Sequence, residues 1–131
     1  MDGGARGNPG PAGVGIVLTD SEGAELDRAN AYIGETTNNV AEYRALLLGL
    51  DRARALGVQS LEIVNDSQLV ARQLTGEYKV KNEDLRLLHG KARQALSGFD
   101  RWSIRSVPRA MNAVADALVN EAIDARAATA G

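Results

Sequence analysis

The change of hydrophobic period at Thr37 is the feature that most limits what this chain can fold into. Ahead of it, Val14 to Thr19 is β-rich and follows the turn-forming run Gly7-Asn8-Pro9-Gly10-Pro11. Asp20-Ser21-Glu22-Gly23 reads as a hairpin turn and Ala24 to Ile33 as the returning strand. That strand is expected to turn Leu26, Ala29, Ala31 and Ile33 inward, with Asp27 and Arg28 nearer solvent. From Asn38 to Leu56 apolar residues recur at helical spacing. Val40, Tyr43, Leu47, Leu50 and Arg54 approximate one stripe, and Leu46 and Ala53 widen it. Thr37 suits the N-cap, and Gly57 can end the helix in a left-handed conformation.

Further along, Leu61 to Val64 reads as a short strand and Ser67 to Leu74 as a helix stopped by Gly76. Asn82 to Leu96 is a second amphipathic segment with Leu85, Leu88, Ala92 and Leu96 on its apolar face. Arg101 to Val107 alternates as a strand, with Trp102, Ile104 and Ser106 on one side, and Pro108 ends it. Ala113 to Ala125 returns to helical spacing, and Arg126 to Gly131 is expected to fray. Strands first, then strands mixed with helices, imply a mixed sheet with crossover helices. A chain of 131 residues suits one domain, residues 1–131, with one core of modest size.

Four acidic residues stand where this reading passes from one element to the next: Asp2 in DGGARGNPG, Glu42 in TTNNVAEY, Asp66 in NDSQLV and Asp116 in RAMNAVAD. Carboxylates scattered along a sequence can converge at one end of a sheet and hold hard cations such as Mg2+, which take oxygen ligands. Two such ions about 4 Å apart can clamp the entering and leaving oxygens of a phosphodiester. Any one of these residues alone reads as a solvated surface charge; the four contexts together favour a metal centre.

Composition narrows the chemistry further. With no Cys there is no disulfide, thiolate nucleophile or cysteine zinc site, and a single His excludes a site built on several imidazoles. No apolar stretch is long enough to span a bilayer and no signal segment is evident, so a cytoplasmic protein without a membrane partner is expected. The net charge of -2 argues against a strongly basic nucleic-acid binder, but the charge is uneven. Residues 78–109 balance at +5 inside the acidic chain, so a polyanion can meet this segment while cations neutralise an acidic centre elsewhere. The plainer reading of that segment is a mixed, solubilising surface. The glycines near Asp2 form no P-loop, because no Gly-Lys-Ser/Thr follows. Gly13-Val14-Gly15 enters a strand rather than opening a helix, so it is no dinucleotide fingerprint; Gly13 and Gly15 relieve crowding instead.

The local sequences resemble type 1 ribonuclease H, especially its short bacterial and archaeal forms. The matching runs are DGG-x-x-GNPGP at Asp2 to Pro11, TTNN-x-x-E at Thr36 to Glu42, DSQLV at Asp66 to Val70, GEYKVKN at Gly76 to Asn82, and VPR-x-x-N-x-x-AD at Val107 to Asp116. The resemblance covers nearly the whole chain. It implies a ribonuclease H-like α/β fold, a five-stranded mixed sheet flanked by helices. It also implies an endonuclease that hydrolyses the RNA strand of RNA–DNA hybrids by two-metal-ion catalysis, giving 5′-phosphate and 3′-hydroxyl ends. By that resemblance Asp2, Glu42, Asp66 and Asp116 are the catalytic and metal-binding set, with Mg2+ as cofactor or Mn2+ in its place. Asp2 and Asp66 would end neighbouring parallel strands, with Glu42 on the first helix and Asp116 at the start of the last.

Asn8, Asn38, Asn39, Gln68 and Asn112 match the family's polar substrate-contact positions. Amides donate and accept, so they can read 2′-hydroxyls and base edges of a minor groove without demanding a sequence. Taken singly, each amide reads more ordinarily as a turn or cap residue. Thr37 matches a contact to phosphate of the DNA strand, although its hydroxyl serves equally as a helix cap. Arg109 resembles the Arg of forms that lack a loop His, where it would contact phosphate or support product departure. His89, within a helix and remote in sequence from the carboxylates, is not expected to take part.

The chain departs from the family in two further places. It runs directly through Gly76 to Lys81 where longer relatives insert a basic helix and loop, so Lys79 and Lys81, with Arg86 and Lys91, are expected to compensate partly and help hold the hybrid, with weaker binding. Only Met1 precedes Asp2, so the first strand is expected to be truncated and Asp2 poorly anchored. A monomer with no obligate protein partner is expected. The competing readings are a noncatalytic RNA–DNA hybrid or RNA-binding domain, and another ribonuclease-H-like nuclease such as an integrase or resolvase domain.

Overall fold

Side-chain caps and glycines set the helix ends in this structure, a computed structural model that describes the backbone of residues 1–130 and the side chains of residues 1–126. Strands β1 (Asp2–Ala5), β2 (Gly10–Thr19) and β3 (Glu25–Thr36) come first, then helix α1 (Asn38–Ala55), strand β4 (Ser60–Asn65), helices α2 (Gln68–Leu74) and α3 (Glu83–Leu96), strand β5 (Arg101–Ser106), a 3₁₀ turn (Arg109–Asn112) and helix α4 (Ala113–Ala130). Thr37 Oγ1 accepts from the Val40 N–H, Ser67 Oγ from Val70 and Asn82 Oδ1 from Leu85, so α1, α2 and α3 each have a first-turn donor satisfied. Gly57 and Gly76 follow α1 and α2 with φ of 75° and 87°, a region that L side chains rarely adopt.

The core forms where α1 meets its neighbours. Tyr43, Leu46, Leu50 and Ala53 of α1 join Ile63 of β4, Val70 and Leu74 of α2, and Leu85, Ala92 and Leu96 of α3. Helix α1 packs on β1 and β2 on one side and on α3 on the other, while α4 packs on β2 and β3. The two helices approach the sheet closely enough to require glycine. A Cβ on Gly3 would collide with the Ala41 carbonyl of α1, and one on Gly15 would lie 2.7 Å from the Ala115 carbonyl of α4. Gly15 thus relieves crowding, as the sequence suggests.

The hydrogen-bonded strands fall into two sets: β1–β2–β3, antiparallel throughout, and β4–β5, parallel. Strand β1 starts at Asp2, whereas the family resemblance has Asp2 ending a strand beside β4. Asp2 to Ala5 lie opposite Gly15 to Ala12 of β2. The Met1 ammonium spans the two sets, donating to the Val64 carbonyl at 2.9 Å. Poor anchoring of Asp2 is not observed. Its neighbours are held on three sides, by Val64, by the Asn112 amide on the Met1 carbonyl, and by the Glu42 carboxylate on the Gly3 N–H.

Several finer expectations are corrected. Leu26 and Ala31 face solvent instead of the core, because β3 is the outer strand of its set and pairs only with β2. Arg54 is exposed, and the buried side of α1 takes in Ala41 and Ala45 because the helix is covered on two sides. Helix α4 ends at Ala130, later than the Ala125 expected from the spacing; Gly131 lies outside the described residues. Among the described residues no helix is long and apolar enough to cross a membrane.

Candidate active site

The four sequence-selected carboxylates come from four elements. Asp2 opens β1, Glu42 sits in α1 behind its Thr37 cap, Asp66 directly follows β4, and Asp116 lies in the first turn of α4. Carboxylate oxygens of Asp2, Glu42 and Asp66 lie within 4.8 Å of one another. Asp116 joins them at the wall of the same cleft, which encloses about 500 Å³. The close approach permitted by Gly3 is what lets its N–H donate to Glu42 Oε1 at 3.1 Å.

Burial sets the electrostatics of the inner pair. Asp2 and Glu42 are each only 6% exposed. Burial pushes Glu42 up to about 9, reinforced by its hydrogen bond with Asp2 and by the Asp2 charge, while the Gly3 N–H pulls the other way. Burial also pushes Asp2 up to about 6, against the opposing hydrogen bond from Glu42 and with the charges of Asp66 and Asp116 adding to the rise. Both carboxyls are thus raised together, so the buried pair favours retaining a proton. Burial lowers the Met1 ammonium, although the surrounding carboxylates favour its charge. On the outer wall, Arg109 Nη2 lies 3.2 Å from Asp116 Oδ1, and that carboxylate raises the guanidinium.

These residues fit a hard divalent cation. The converging donors are all carboxylate oxygens, and Glu42 Oε2 is buried with no hydrogen-bond partner. A dication would answer both facts: it would take the orphaned oxygen and offset the burial and like charge that favour a proton on the pair.

The polar residues divide. Asn38, Asn39 and Arg109 line the cleft beside the carboxylates. Asn38 Oδ1 accepts from the Ala5 N–H at 2.8 Å and Asn8 Oδ1 from the Asn38 N–H at 3.1 Å, so both amides tie the β1–β2 connection to the start of α1. Thr37 caps α1. Gln68 lines a separate groove with Arg72 and Ser106. Asn112 is buried away from the cleft lining, its Nδ2 donating to the Met1 carbonyl at 2.9 Å. Lys79 and Lys81 are exposed on the α2–α3 connection, also outside that lining. His89 on α3 places Nε2 3.1 Å from the Gln73 carbonyl and packs edge-on to Tyr43, away from the carboxylates.

Sequence reasoning passed over Arg6, Ser67, Val119, Asn120 and Ile123, which also line the cleft. Asn120 was within reach: it stands one helical turn after Asp116, and its Nδ2 donates to the Asp116 carbonyl. Arg6, inside the run DGGARGNPG, carried no comparable signal.

The profile of a reverse transcriptase-like family matches residues 1–122. Ribonuclease HI of Halobacterium salinarum is 50% identical over 124 residues, covering 95% of this chain and 62% of the relative. A bifunctional protein of Mycobacterium tuberculosis is 48% identical over 130 residues, covering 98% of this chain and 36% of the relative. The chain therefore spans only part of the length of these relatives. The N-terminal RNase H domain of the mycobacterial protein, solved as a fusion with maltose binding protein, matches with a TM-score of 0.94 at 46% identity, covering 99% of this chain and 94% of that one. LC11-RNase H1, crystallised in complex with an RNA/DNA hybrid, matches with a TM-score of 0.91 at 46% identity over 95% of this chain and 94% of that one.

Proposed function

We propose that this chain, which belongs to the type 1 ribonuclease H family, is a metal-dependent endonuclease that hydrolyses the RNA strand of RNA–DNA hybrids, leaving 5′-phosphate and 3′-hydroxyl ends. The observation that carries this reading is the convergence of Asp2, Glu42 and Asp66, with Asp116, in a cleft that also presents the amides of Asn38 and Asn39.

Asp2, Glu42, Asp66 and Asp116 would hold the cations, Mg2+ or Mn2+, and Glu42 would have to be ionised to serve as a ligand. Held there, divalent cations supply charge stabilisation to the attacked phosphate and to the leaving 3′ oxygen. Asn39 presents an amide to the minor groove, where a carboxamide can donate to or accept from a 2′-hydroxyl and so distinguish RNA from DNA. Asn38 and Asn8 keep the β1–β2 connection against α1, which fixes Asp2 relative to Glu42. Arg109 holds Asp116 and offers a charge to phosphate, but its guanidinium stays protonated and is no general base. Gln68, Thr37, Lys79 and Lys81 belong to the outer substrate path in this reading, and Asn112 acts through Met1 rather than by touching substrate.

Residues 1–131 are proposed to form one catalytic domain, monomeric and cytoplasmic; the shared core of α1, α2, α3 and β4 supports the single domain. The test is a uniformly labelled hybrid incubated with Mg2+ or Mn2+ beside matched RNA and DNA duplexes. Cutting confined to the RNA of the hybrid is expected. Folded protein that binds hybrid and cuts nothing with either metal would leave a noncatalytic binding domain, and preferential cutting of duplex DNA would point to a different nuclease.

A further inference from the structure

Arg6 stands in the connection between β1 and β2 and lines the same cleft as the carboxylates, yet the mechanism above gives it no part. Its guanidinium reaches across to α4. Nη1 lies 2.6 Å from Asp124 Oδ1, and Nη2 donates to Asn120 Oδ1 at 3.2 Å. Asn120 in turn donates to the carbonyl of Asp116. Asp116, Asn120 and Asp124 follow at one-turn intervals along α4, so Arg6 is fixed against the stripe of the helix that carries a catalytic-site carboxylate.

Two features make this more than a surface ion pair. The Arg6 side chain is 45% exposed, and a guanidinium carries more N–H donors than these bonds use, in a fork suited to phosphate oxygens. Asp124 is 65% exposed, so the pairing is weakly held and exchangeable in water. The floor of the cleft is acidic, which repels a phosphate backbone, and Arg6 and Arg109 place positive charge on its walls.

We propose that Arg6 is a substrate-binding residue: it grips a phosphate oxygen of the nucleic acid entering the cleft, Asn120 orients it, and Asp124 is the counter-ion that phosphate displaces. This rests on the reading of the cleft as a hybrid-binding nuclease site. The alternative, a latch that merely fastens the β1–β2 connection to α4, uses the same bonds but makes Asp124 indispensable. Replacing Asp124 therefore separates the two, because it frees Arg6 for phosphate in one case and loosens the connection in the other.

The experiment measures affinity for a fluorescently labelled RNA–DNA hybrid across a salt series in EDTA, where no divalent cation supports cutting. Wild type, Arg6→Ala, Arg6→Lys and Asp124→Asn are compared, with melting temperatures as a check on folding. Arg6→Ala is expected to weaken binding several-fold and to reduce the slope of log affinity against log salt by about 0.9, the share of one phosphate contact. Arg6→Lys should keep the slope and recover part of the affinity. Asp124→Asn should bind as tightly as wild type or more tightly. Weakened binding in Asp124→Asn matching that of Arg6→Ala, or an unchanged salt slope in Arg6→Ala, would overturn the proposal. Cleavage by wild type with Mg2+ is scored separately. Cutting that survives with no Arg6 effect rejects this inference alone, and an Arg6 effect on binding without any cutting rejects only the enzymatic reading.

Discussion

The two walls of the acidic cleft use the same residue types under different conditions. On the inner wall, Asp2 and Glu42 are buried between β1 and α1, share a hydrogen bond, and have one carboxylate oxygen left without a partner. On the outer wall, Asp116 keeps a side chain 28% exposed and is partnered by Arg109. Burial with a like charge makes a carboxyl hold its proton, as in the inner pair. The inner wall is thus a site where a bound cation favours ionisation of the pair, and the outer wall is one that solvent and Arg109 already reach. Asp66, half-buried at the end of β4, stands between them.

The largest effect is expected where the walls meet. Asp66→Asn removes ligand charge at nearly constant size, so turnover on hybrid should fall by more than about 100-fold, the upper end for groups one shell further from a metal. Circular dichroism should be unchanged. Preserved turnover would remove Asp66 from the metal set. Asn39→Ala leaves both walls intact and takes away one amide beside them. Its cost should be about 1–3 kcal/mol in transition-state stabilisation, seen as lower kcat/KM and weaker preference for the RNA strand, with cation affinity retained. Unchanged efficiency and preference would assign Asn39 a structural part only.

A smaller effect separates the walls through pH. Glu42 binds its proton more tightly in the folded chain than at its ordinary value of 4.5, and Asp2 more tightly than at 3.8. In that situation the folded state holds more protons than the unfolded one, so stability falls as pH rises. The loss from Asp2 runs from about pH 4 to its raised value of about 6, and that from Glu42 continues toward about 9. Thermal melts in EDTA should therefore show wild type losing stability between pH 5 and pH 9, by several degrees. Glu42→Gln should flatten that decline and melt above wild type at the alkaline end. A wild-type melting temperature that rises over this range would contradict the assignment. The smallest effect lies farthest from either wall: Lys79→Gln with Lys81→Gln should weaken hybrid binding modestly, and more at low salt than at high salt. Equal salt slopes would leave these lysines as plain surface.

What was legible in the sequence divides along the same line. Thr37, Ser67 and Asn82 announce helix starts because a cap is a local event between residues three apart, and Gly57 and Gly76 announce ends because a positive φ is a local demand. The four carboxylates were legible because each lies in a distinctive short run. Exposure of Leu26 and Ala31 was not, since it depends on β3 having a partner on one side only. Nor was the role of Asn112, which reaches Met1 across 111 residues of sequence, or that of Arg6, which meets α4 across 114. Gly3 illustrates the boundary: in the sequence it is one of several glycines near Asp2, and the structure shows a packing contact that admits no side chain.

Proton release on cation binding tests the contrast between the walls most directly. Calorimetric titration of Mg2+ into the protein at pH 7.5, repeated in buffers of different ionisation enthalpy, reads how many protons leave as the ion enters. Because Glu42 is raised to about 9 and Asp2 is raised beside it, the account predicts release of about one proton per bound protein, disappearing in Glu42→Gln. Mg2+ binding with no release of protons, or release that persists in Glu42→Gln, would contradict it.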